Sequence, residues 1–170
     1  MELKELGATG VMLPGIGLGT WKYSGGSQPL QRGIQLGAYL IDTAEMYRTE
    51  DQVGRAVNGM RGSVFIATKV LGGHLHYDQV LRAAEASLRL LETDYIDLYQ
   101  IHWPNSSVPI AETMKAMEEL ADSGLVKYIG VSNFSLRELQ EAQRAMTRHP
   151  IVSNRILQTC LLYTSDAADE

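Results

Sequence analysis

Short apolar segments typical of β-strands alternate with longer segments of helical period through most of the chain. The candidate strands are rich in Val, Ile, Leu and Tyr, and they cover residues 16–18, 40–42, 64–68, 95–102, 126–131 and 151–152. Apolar residues between them recur every three or four positions, as Val80, Ala84, Leu88 and Leu91 do. Alternating strands and helices indicate parallel βαβ units. The pattern therefore predicts an α/β protein with about five complete β–α units and the start of a sixth.

Two architectures accept this pattern, a doubly wound sheet and a (β/α)8 barrel. A doubly wound dinucleotide-binding sheet needs G-x-G-x-x-G between its first strand and first helix. Residues 15–21 read Gly-Ile-Gly-Leu-Gly-Thr-Trp, and no glycine of this segment opens a helix. A barrel typically needs about 250 residues, whereas this chain has 170. We therefore predict a truncated (β/α)8 TIM barrel, preceded by a β-hairpin with strands over 4–6 and 11–13.

Several helix ends carry sequence signals of their own. Ser135 with Glu138, and Thr49 with Gln52, have the spacing of capping boxes, in which each side chain bonds the other residue's backbone N–H. Gly124 stands where a left-handed residue would end a helix. These signals agree with the helices that the apolar pattern predicts.

Composition and charge narrow the classes of partner. The chain has 15 Lys and Arg against 20 Asp and Glu, a net charge of −5, and no basic cluster. This balance argues against a nucleic-acid partner and against an anionic membrane surface. No apolar run approaches the roughly 20 residues that span a bilayer. The single cysteine, Cys160, cannot form an internal disulfide, so a cytoplasmic location is predicted. No metal site is predicted.

Polar residues stand at the carboxyl ends of successive candidate strands. They are Asp42, Lys69, His102, Ser132 and Asn133. In a (β/α)8 barrel these strand ends open onto one face, where active sites are built. Each residue alone has an ordinary structural explanation, such as a helix cap for Asp42 or a solvated charge for Lys69. Taken together, they predict one shared pocket.

Tyr47 lies five residues after Asp42 and adds a candidate proton donor to this pocket. A buried unpaired lysine is costly, so Lys69 is predicted to pair with Asp42. A phenol has a pKa near 10, and an adjacent ammonium is expected to lower the pKa of Tyr47 toward the working range of a general acid. His102 can then hydrogen-bond a substrate carbonyl and orient it. No side chain supplies a hydride, so this chemistry requires a nicotinamide cofactor.

Four segments of the chain resemble those of the aldo-keto reductase family. They are residues 36–47, 66–70, 94–104 and 130–134, and the match runs in order from about residue 10 to about residue 154. The first reads Leu-Gly-Ala-Tyr-Leu-Ile-Asp-Thr-Ala-Glu-Met-Tyr. The resemblance implies a (β/α)8 barrel closed at its bottom by the hairpin. It also implies an NADPH-dependent enzyme that reduces small aldehydes, ketones or sugar-like carbonyls.

The same resemblance assigns roles to particular residues. Tyr47 would be the proton donor, Asp42 and Lys69 its tuning pair, and His102 the group that orients the carbonyl. The residues implied in cofactor binding are Thr20, Trp21, Asp42, Ser132 and Asn133. The residues implied in substrate binding are Trp21, Tyr47, His102 and Trp103. The full-length protein is expected to be a monomer or a weak homo-oligomer.

Three features depart from the family pattern. Arg48 replaces the glycine that usually follows the tyrosine, and Arg155 stands where the family usually has a glutamine that contacts the nicotinamide carboxamide. The last two strands and the segments that grip the adenosine phosphate have no counterpart. Residues 160–170 resemble the translation of an adapter used in sequencing-library preparation. We therefore expect residues 1–159 to form a partial barrel and residues 160–170 to be a non-native tail.

Three other functions are open at this point. A barrel aldolase would use Lys69 as a Schiff-base nucleophile, which needs a neutral amine and is opposed by contact with Asp42. A cofactor-binding regulatory barrel would keep the pocket but sense the cofactor rather than turn over a substrate. The polypeptide as written would have no activity if it is an incomplete fragment.

Overall fold

The computed structural model describes residues 2–156 and contains two sheets. An antiparallel hairpin pairs β1 (Leu3–Glu5) with β2 (Met12–Pro14). The second sheet has six parallel strands whose spatial order follows the chain: β3 (Leu18–Gly19), β4 (Leu40–Asp42), β5 (Phe65–Val70), β6 (Ile96–Ile101), β7 (Val126–Ser132) and β8 (Ile151–Arg155). This order matches successive β–α units of a barrel.

Five α-helices lie between the strands of the parallel sheet. They are α1 (Ser27–Gln35), α2 (Glu50–Val57), α3 (Tyr77–Leu91), α4 (Ile110–Asp122) and α5 (Leu136–Ala145). Together with the strand order, they confirm the predicted α/β fold, which is consistent with a partial (β/α)8 barrel. None of the helices between residues 2 and 156 is both long and apolar enough to cross a membrane.

The main core lies between the helices and one face of the parallel sheet. The apolar stripe of α3 is buried as its spacing predicts: Val80, Ala84, Leu88 and Leu91 are all at most 9% exposed. Side chains alternate along a strand, so β5 directs Ile66 and others into this core and the residues between them to the opposite face. Lys69 lies on that opposite face, with Phe65 and Ala67.

The hairpin covers the amino-terminal end of the parallel sheet. Leu13 packs in a second apolar cluster with Phe65, the first residue of β5, and with Leu98 of β6. The hairpin turn also approaches β8 closely: a Cβ atom on Gly7 (φ +53°) would lie 2.7 Å from the carbonyl oxygen of Val152. The candidate residues lie at the other end of the sheet, where the parallel strands have their carboxyl ends.

Local predictions differ from the structure at several boundaries. The predicted strand 16–18 is observed over Leu18–Gly19, and Lys69 lies inside β5 rather than after its end. The capping box of Ser135 and Glu138 is present, whereas the one predicted for Thr49 and Gln52 is wrong. The hydroxyl of Thr49 instead donates to a buried threonine of another segment, so a tertiary contact has displaced the local cap.

Candidate active site

Lys69 is fully buried on the inner face of β5 and forms the predicted pair with Asp42. Its Nζ donates to both carboxylate oxygens of Asp42 at 2.9 Å and to the carbonyl oxygen of Thr43 at 2.7 Å. An ammonium has three N–H donors, so these three acceptors match all of them. Burial lowers the pKa of Lys69, and the Asp42 carboxylate opposes this shift by favouring the charged amine.

Tyr47 ends a 3₁₀ turn, Glu45–Tyr47, that follows β4. Its hydroxyl lies 3.5 Å from Nε2 of His102, and the two rings meet edge to face with centroids 5.4 Å apart. Lys69 Nζ lies 5.1 Å from the centre of the Tyr47 ring. The structure therefore brings Asp42, Tyr47, Lys69 and His102 together at the carboxyl ends of neighbouring parallel strands.

The expected effect of Lys69 on Tyr47 is wrong. The pKa of Tyr47 is raised, first by burial and then by the negative charge of Asp42, and the lowering influence comes from Arg155. The donors of Lys69 are all directed at Asp42 and Thr43, and the Asp42 carboxylate offsets the ammonium charge. Tyr47 is therefore a neutral phenol at neutral pH, with its proton firmly held.

His102 is held neutral beside this hydroxyl. It directly follows β6, and its backbone N–H donates to the carbonyl oxygen of Val70 at 3.1 Å. Its pKa is lowered to about 4, chiefly by burial and then by the positive charge of Lys69. A neutral imidazole has one N–H donor and one acceptor nitrogen. Within residues 2–156, the buried Nδ1 has no hydrogen-bond partner.

The aromatic residues predicted at the pocket differ in their surroundings. Trp103 stacks beside the His102 ring, with centroids 6.5 Å apart, and is 44% exposed. Trp21 is 60% exposed, and the Nζ atom of Lys22 lies 4.7 Å from the centre of its ring. Both indoles therefore have apolar surface open to solvent.

Thr20 is buried, and its hydroxyl is already engaged within the protein. It lies 3.3 Å from the carbonyl oxygen of Asp42 and accepts a hydrogen bond from the Thr49 hydroxyl at 2.9 Å. The backbone N–H of Thr20 also donates to the Asp42 carbonyl oxygen, at 3.0 Å. Thr20 thus fixes the end of β4 in place beside the start of the Tyr47 turn.

Ser132 and Asn133 join the ends of three strands. The Ser132 hydroxyl donates to the carbonyl oxygen of Arg155 at 2.9 Å. The Asn133 amide donates to the carbonyl oxygen of His102 at 3.1 Å and to the Ser132 hydroxyl at 3.0 Å. Asn133 has φ +61°, a left-handed conformation that asparagine tolerates better than most residues. Both residues lie at the same open end as Tyr47.

Arg155 appears in the sequence analysis only as a departure from the family pattern, and its contact with Asp42 was not predicted. It is the last residue of β8, and one guanidinium nitrogen lies 3.5 Å from Oδ1 of Asp42. Its side chain is 46% exposed. The only sequence signal was its departure from the family's glutamine. That β8 brings it back toward β4 follows from the curvature of the sheet.

Glu45 is a second contributor that the sequence analysis did not single out. Its carboxylate accepts from the backbone N–H of Leu71 at 2.8 Å and lies 2.7 Å from Nδ1 of His74. These contacts attach the Tyr47 turn to the loop that follows β5. Glu45 lies two residues before Tyr47 in a short turn, and this position in the sequence carries no pattern that predicts its contacts with Leu71 and His74.

Comparison with known proteins settles the family. The sequence model of the protein family described as "Aldo/keto reductase family" matches residues 15–168 of the chain. The chain belongs to the aldo/keto reductase family. It is 40% identical over 169 residues to methylglyoxal reductase YeaE of Escherichia coli (strain K12), an alignment that covers 92% of this chain and 59% of that relative.

Solved structures of other aldo/keto reductases share the fold. The thermostable enzyme Tm1743, in complex with the inhibitor epalrestat, is similar with a TM-score of 0.88 and 42% identity, over 93% of this chain and 63% of that one. An aldo-keto reductase from Klebsiella pneumoniae in complex with NADPH is similar with a TM-score of 0.80 and 36% identity, over 93% and 59%. The chain thus spans about six tenths of these proteins' length.

Two clefts of this aldo/keto reductase chain lie away from the four clustered residues. One of about 380 Å³ is lined by residues of the α5–β8 connection, and one of about 210 Å³ lies between the loop after β6 and the start of α5. Neither is lined by Asp42, Tyr47, Lys69 or His102. Both clefts are therefore separate from the cluster of these four residues.

Proposed function

We propose that the full-length protein reduces small aldehydes, ketones or sugar-like dicarbonyls with NADPH, and that Tyr47 donates the proton. The observation that carries the proposal is the Tyr47 hydroxyl, 3.5 Å from His102 Nε2 and beside the buried Asp42–Lys69 pair. A carbonyl oxygen between the phenol and the imidazole can be hydrogen-bonded by both. Such an arrangement polarises and orients a carbonyl for attack at carbon.

The protonation states favour this use of the two groups. The raised pKa of Tyr47 means that the phenol carries its proton at pH 7, as a proton donor must, although it also makes the phenol a weaker acid. His102, with a pKa of about 4, is neutral at pH 7 and can donate through Nε2 without taking the substrate's proton. Asp42 and Lys69 form an ion pair beside these two groups, and they stay together because separating them would leave a charge in a buried position.

A nicotinamide fits the chemistry of the residues around this site. The exposed indole of Trp21 offers an apolar face to a flat ring. Asn133 carries an amide that suits the carboxamide group, and the buried Ser132 hydroxyl, which accepts a hydrogen bond from this amide, orients it. Thr20, which precedes Trp21 in the chain, is hydrogen-bonded to the carbonyl oxygen of Asp42. When bound, the cofactor supplies the hydride. NADPH is the form in the Klebsiella neighbour's complex, and we propose the same form here.

A small carbonyl compound is the proposed substrate class. The E. coli relative is named a methylglyoxal reductase, and the open surfaces of Trp21 and Trp103 suit a compact organic molecule near Tyr47 and His102. The cytoplasmic location and the monomeric or weakly homo-oligomeric state stay predictions. So does the division into a partial barrel over residues 1–159 and a non-native tail over residues 160–170, because the tail lies outside the described residues.

The aldolase alternative is disfavoured by the surroundings of Lys69. A Schiff base forms on a free amine that the substrate can reach. Lys69 is fully buried, and its amine donates three hydrogen bonds to Asp42 and Thr43. The cofactor-sensing alternative keeps the same residues but predicts binding without turnover, so kinetics separate it from a reductase.

The proposal is tested by following oxidation of NADPH by the full-length protein with methylglyoxal, an aromatic aldehyde and an aldose as substrates. We expect turnover with at least one of them, and no reduced substrate trapped on the protein by borohydride. NADPH binding with no oxidation on any carbonyl compound would support the regulatory barrel instead. A borohydride-trapped adduct that is lost in Lys69→Met would support the aldolase.

A further inference from the structure

A tyrosine that gives up its proton leaves a phenolate, and that charge needs a nearby cation. Lys69 is the obvious candidate because its Nζ lies 5.1 Å from the centre of the Tyr47 ring. However, its three donors are directed at the two oxygens of Asp42 and at the carbonyl oxygen of Thr43. It has no N–H left for the Tyr47 hydroxyl.

Arg155 is held in a position where it can provide this cation in place of Lys69. Its carbonyl oxygen accepts hydrogen bonds from the Ser132 hydroxyl at 2.9 Å and from the backbone N–H of Asn133 at 2.8 Å. These bonds fix the end of β8 against the loop after β7. From there the guanidinium reaches Oδ1 of Asp42 at 3.5 Å, longer than the 2.9 Å contacts of Lys69 with the same carboxylate.

The charged groups around Tyr47 come from each neighbouring strand. Asp42 from β4 and Lys69 from β5 form a close pair, and His102 after β6 is neutral at pH 7. In the turn of Tyr47 itself, the carboxylate of Glu45 is bound to Leu71 and His74. Arg48, in the same turn, is exposed to solvent.

Arg155 is therefore the neighbouring cation that has N–H donors available for the Tyr47 hydroxyl. A guanidinium has five N–H donors, and the contact with Asp42 engages one guanidinium nitrogen at 3.5 Å. We propose that Arg155 is a further positioning residue of the reductase site, whose guanidinium faces the Tyr47 hydroxyl and stabilises the negative charge left on it. The lowering influence of Arg155 on the pKa of Tyr47 supports this placement.

This role rests on the proposed function and adds one step to it. The O–H bond of Tyr47 breaks, its proton goes to the substrate oxygen as carbon is reduced, and the electron pair stays on the phenolate. Arg155 stabilises this phenolate until it takes a proton from water. Because the effect is electrostatic, lysine should replace arginine in part, whereas glutamine should not.

The test compares Arg155→Gln and Arg155→Lys with wild type and with Arg82→Gln, which removes an exposed arginine on α3. Tyrosine labelled with ¹³C at Cζ, with Tyr47→Phe for assignment, reports the pKa of Tyr47 in the cofactor-free protein. We expect Arg155→Gln to raise that pKa by about one unit, which is a tenfold change in ionisation. Its kcat is expected to fall roughly three- to tenfold, and the alkaline limb of the kcat profile to move to higher pH.

The other variants and outcomes make the proposal falsifiable. Arg155→Lys should recover most of both effects, and Arg82→Gln should behave as wild type. The proposal is overturned if the pKa of Tyr47 is unchanged in Arg155→Gln. It is also overturned if this variant only raises the dissociation constant of NADPH and leaves the pH profile of kcat unchanged. If wild type reduces no carbonyl compound, the proposed function fails, while the NMR result still decides whether Arg155 acts on Tyr47.

Discussion

Glu118 on α4 gives a prediction about stability whose size can be worked out from its contacts. Its carboxylate is 3% exposed and accepts backbone N–H groups of Thr147 at 2.7 Å, Arg148 at 2.6 Å and His149 at 3.3 Å, with the Thr147 hydroxyl at 2.9 Å. These residues lead into β8, the strand that ends at Arg155. Glu118 therefore holds the loop that brings β8 to the sheet.

The pKa of Glu118 fixes the expected magnitude. Burial raises this pKa, but the hydrogen bonds from Arg148, Thr147 and His149 outweigh burial and lower it from 4.5 to about 2. At about 1.4 kcal/mol per unit, the shift corresponds to about 3.5 kcal/mol as an upper limit. We expect about 2 kcal/mol for Glu118→Gln, because glutamine keeps one acceptor oxygen and so retains part of this hydrogen bonding.

The variant is Glu118→Gln, with Glu85→Gln on the exposed face of α3 as control. Glutamine keeps one acceptor oxygen but turns an NH2 group toward backbone N–H donors. Because the folded-state pKa is depressed, the stabilisation is complete above pH 4.5 and is lost as pH falls from there toward 2. Urea unfolding of the full-length protein should show the loss at pH 7 and a smaller difference at pH 3.5.

Two results would refute this reasoning. One is a loss below about 0.5 kcal/mol at pH 7, the size of an ordinary surface change. The other is a difference between Glu118→Gln and wild type that stays constant from pH 7 to pH 3.5, since ionisation of the carboxylate would then not be its cause. The control variant should differ little from wild type throughout this range.

Two further predictions concern the site itself. Lys69→Met should destabilise the full-length protein by about 3 kcal/mol in urea unfolding, because it removes the ammonium 2.9 Å from the Asp42 carboxylate and leaves Arg155 at 3.5 Å. A loss below about 1 kcal/mol would mean that the pair is not buried in solution. The His102 ring should keep constant NMR shifts from pH 8 to pH 5.5 because its pKa is about 4. Since unfolded histidine binds a proton near pH 6.5, the burial of His102 should lower the stability of the protein as pH falls from 6.5 toward 4. A His102 titration midpoint near pH 6.5 in the folded protein would contradict the described environment.

Features set by local pattern and by strand ends could be predicted from the sequence. The five β–α units follow from apolar periodicity, and α3 buries the four stripe residues that its spacing selects. The contact between Asp42 and Lys69 follows from a general rule, since carboxyl ends of neighbouring parallel strands share one edge of the sheet. A buried lysine also needs a partner of opposite charge.

Features that depend on competition between contacts could not be predicted. Thr49 has the spacing of a helix cap, but a buried hydroxyl partner, Thr20, takes its bond. The pKa of Tyr47 rises rather than falls, because burial and the negative charge of Asp42 outweigh the lowering influence, which comes from Arg155 and not from Lys69. Arg155 is far from Asp42 in sequence, and only the curvature of six strands brings it near.

The measurement that most directly tests the account is kcat of Tyr47→Phe in the full-length protein, with the best carbonyl substrate and saturating NADPH. We predict a fall of roughly 10²- to 10⁴-fold, the range of general acid catalysis, with little change in the NADPH dissociation constant. Tyr39→Phe serves as a matched control, because its hydroxyl donates to the Met12 carbonyl oxygen at the opposite end of the sheet. Near-full activity in Tyr47→Phe would contradict the account, since another group would then deliver the proton.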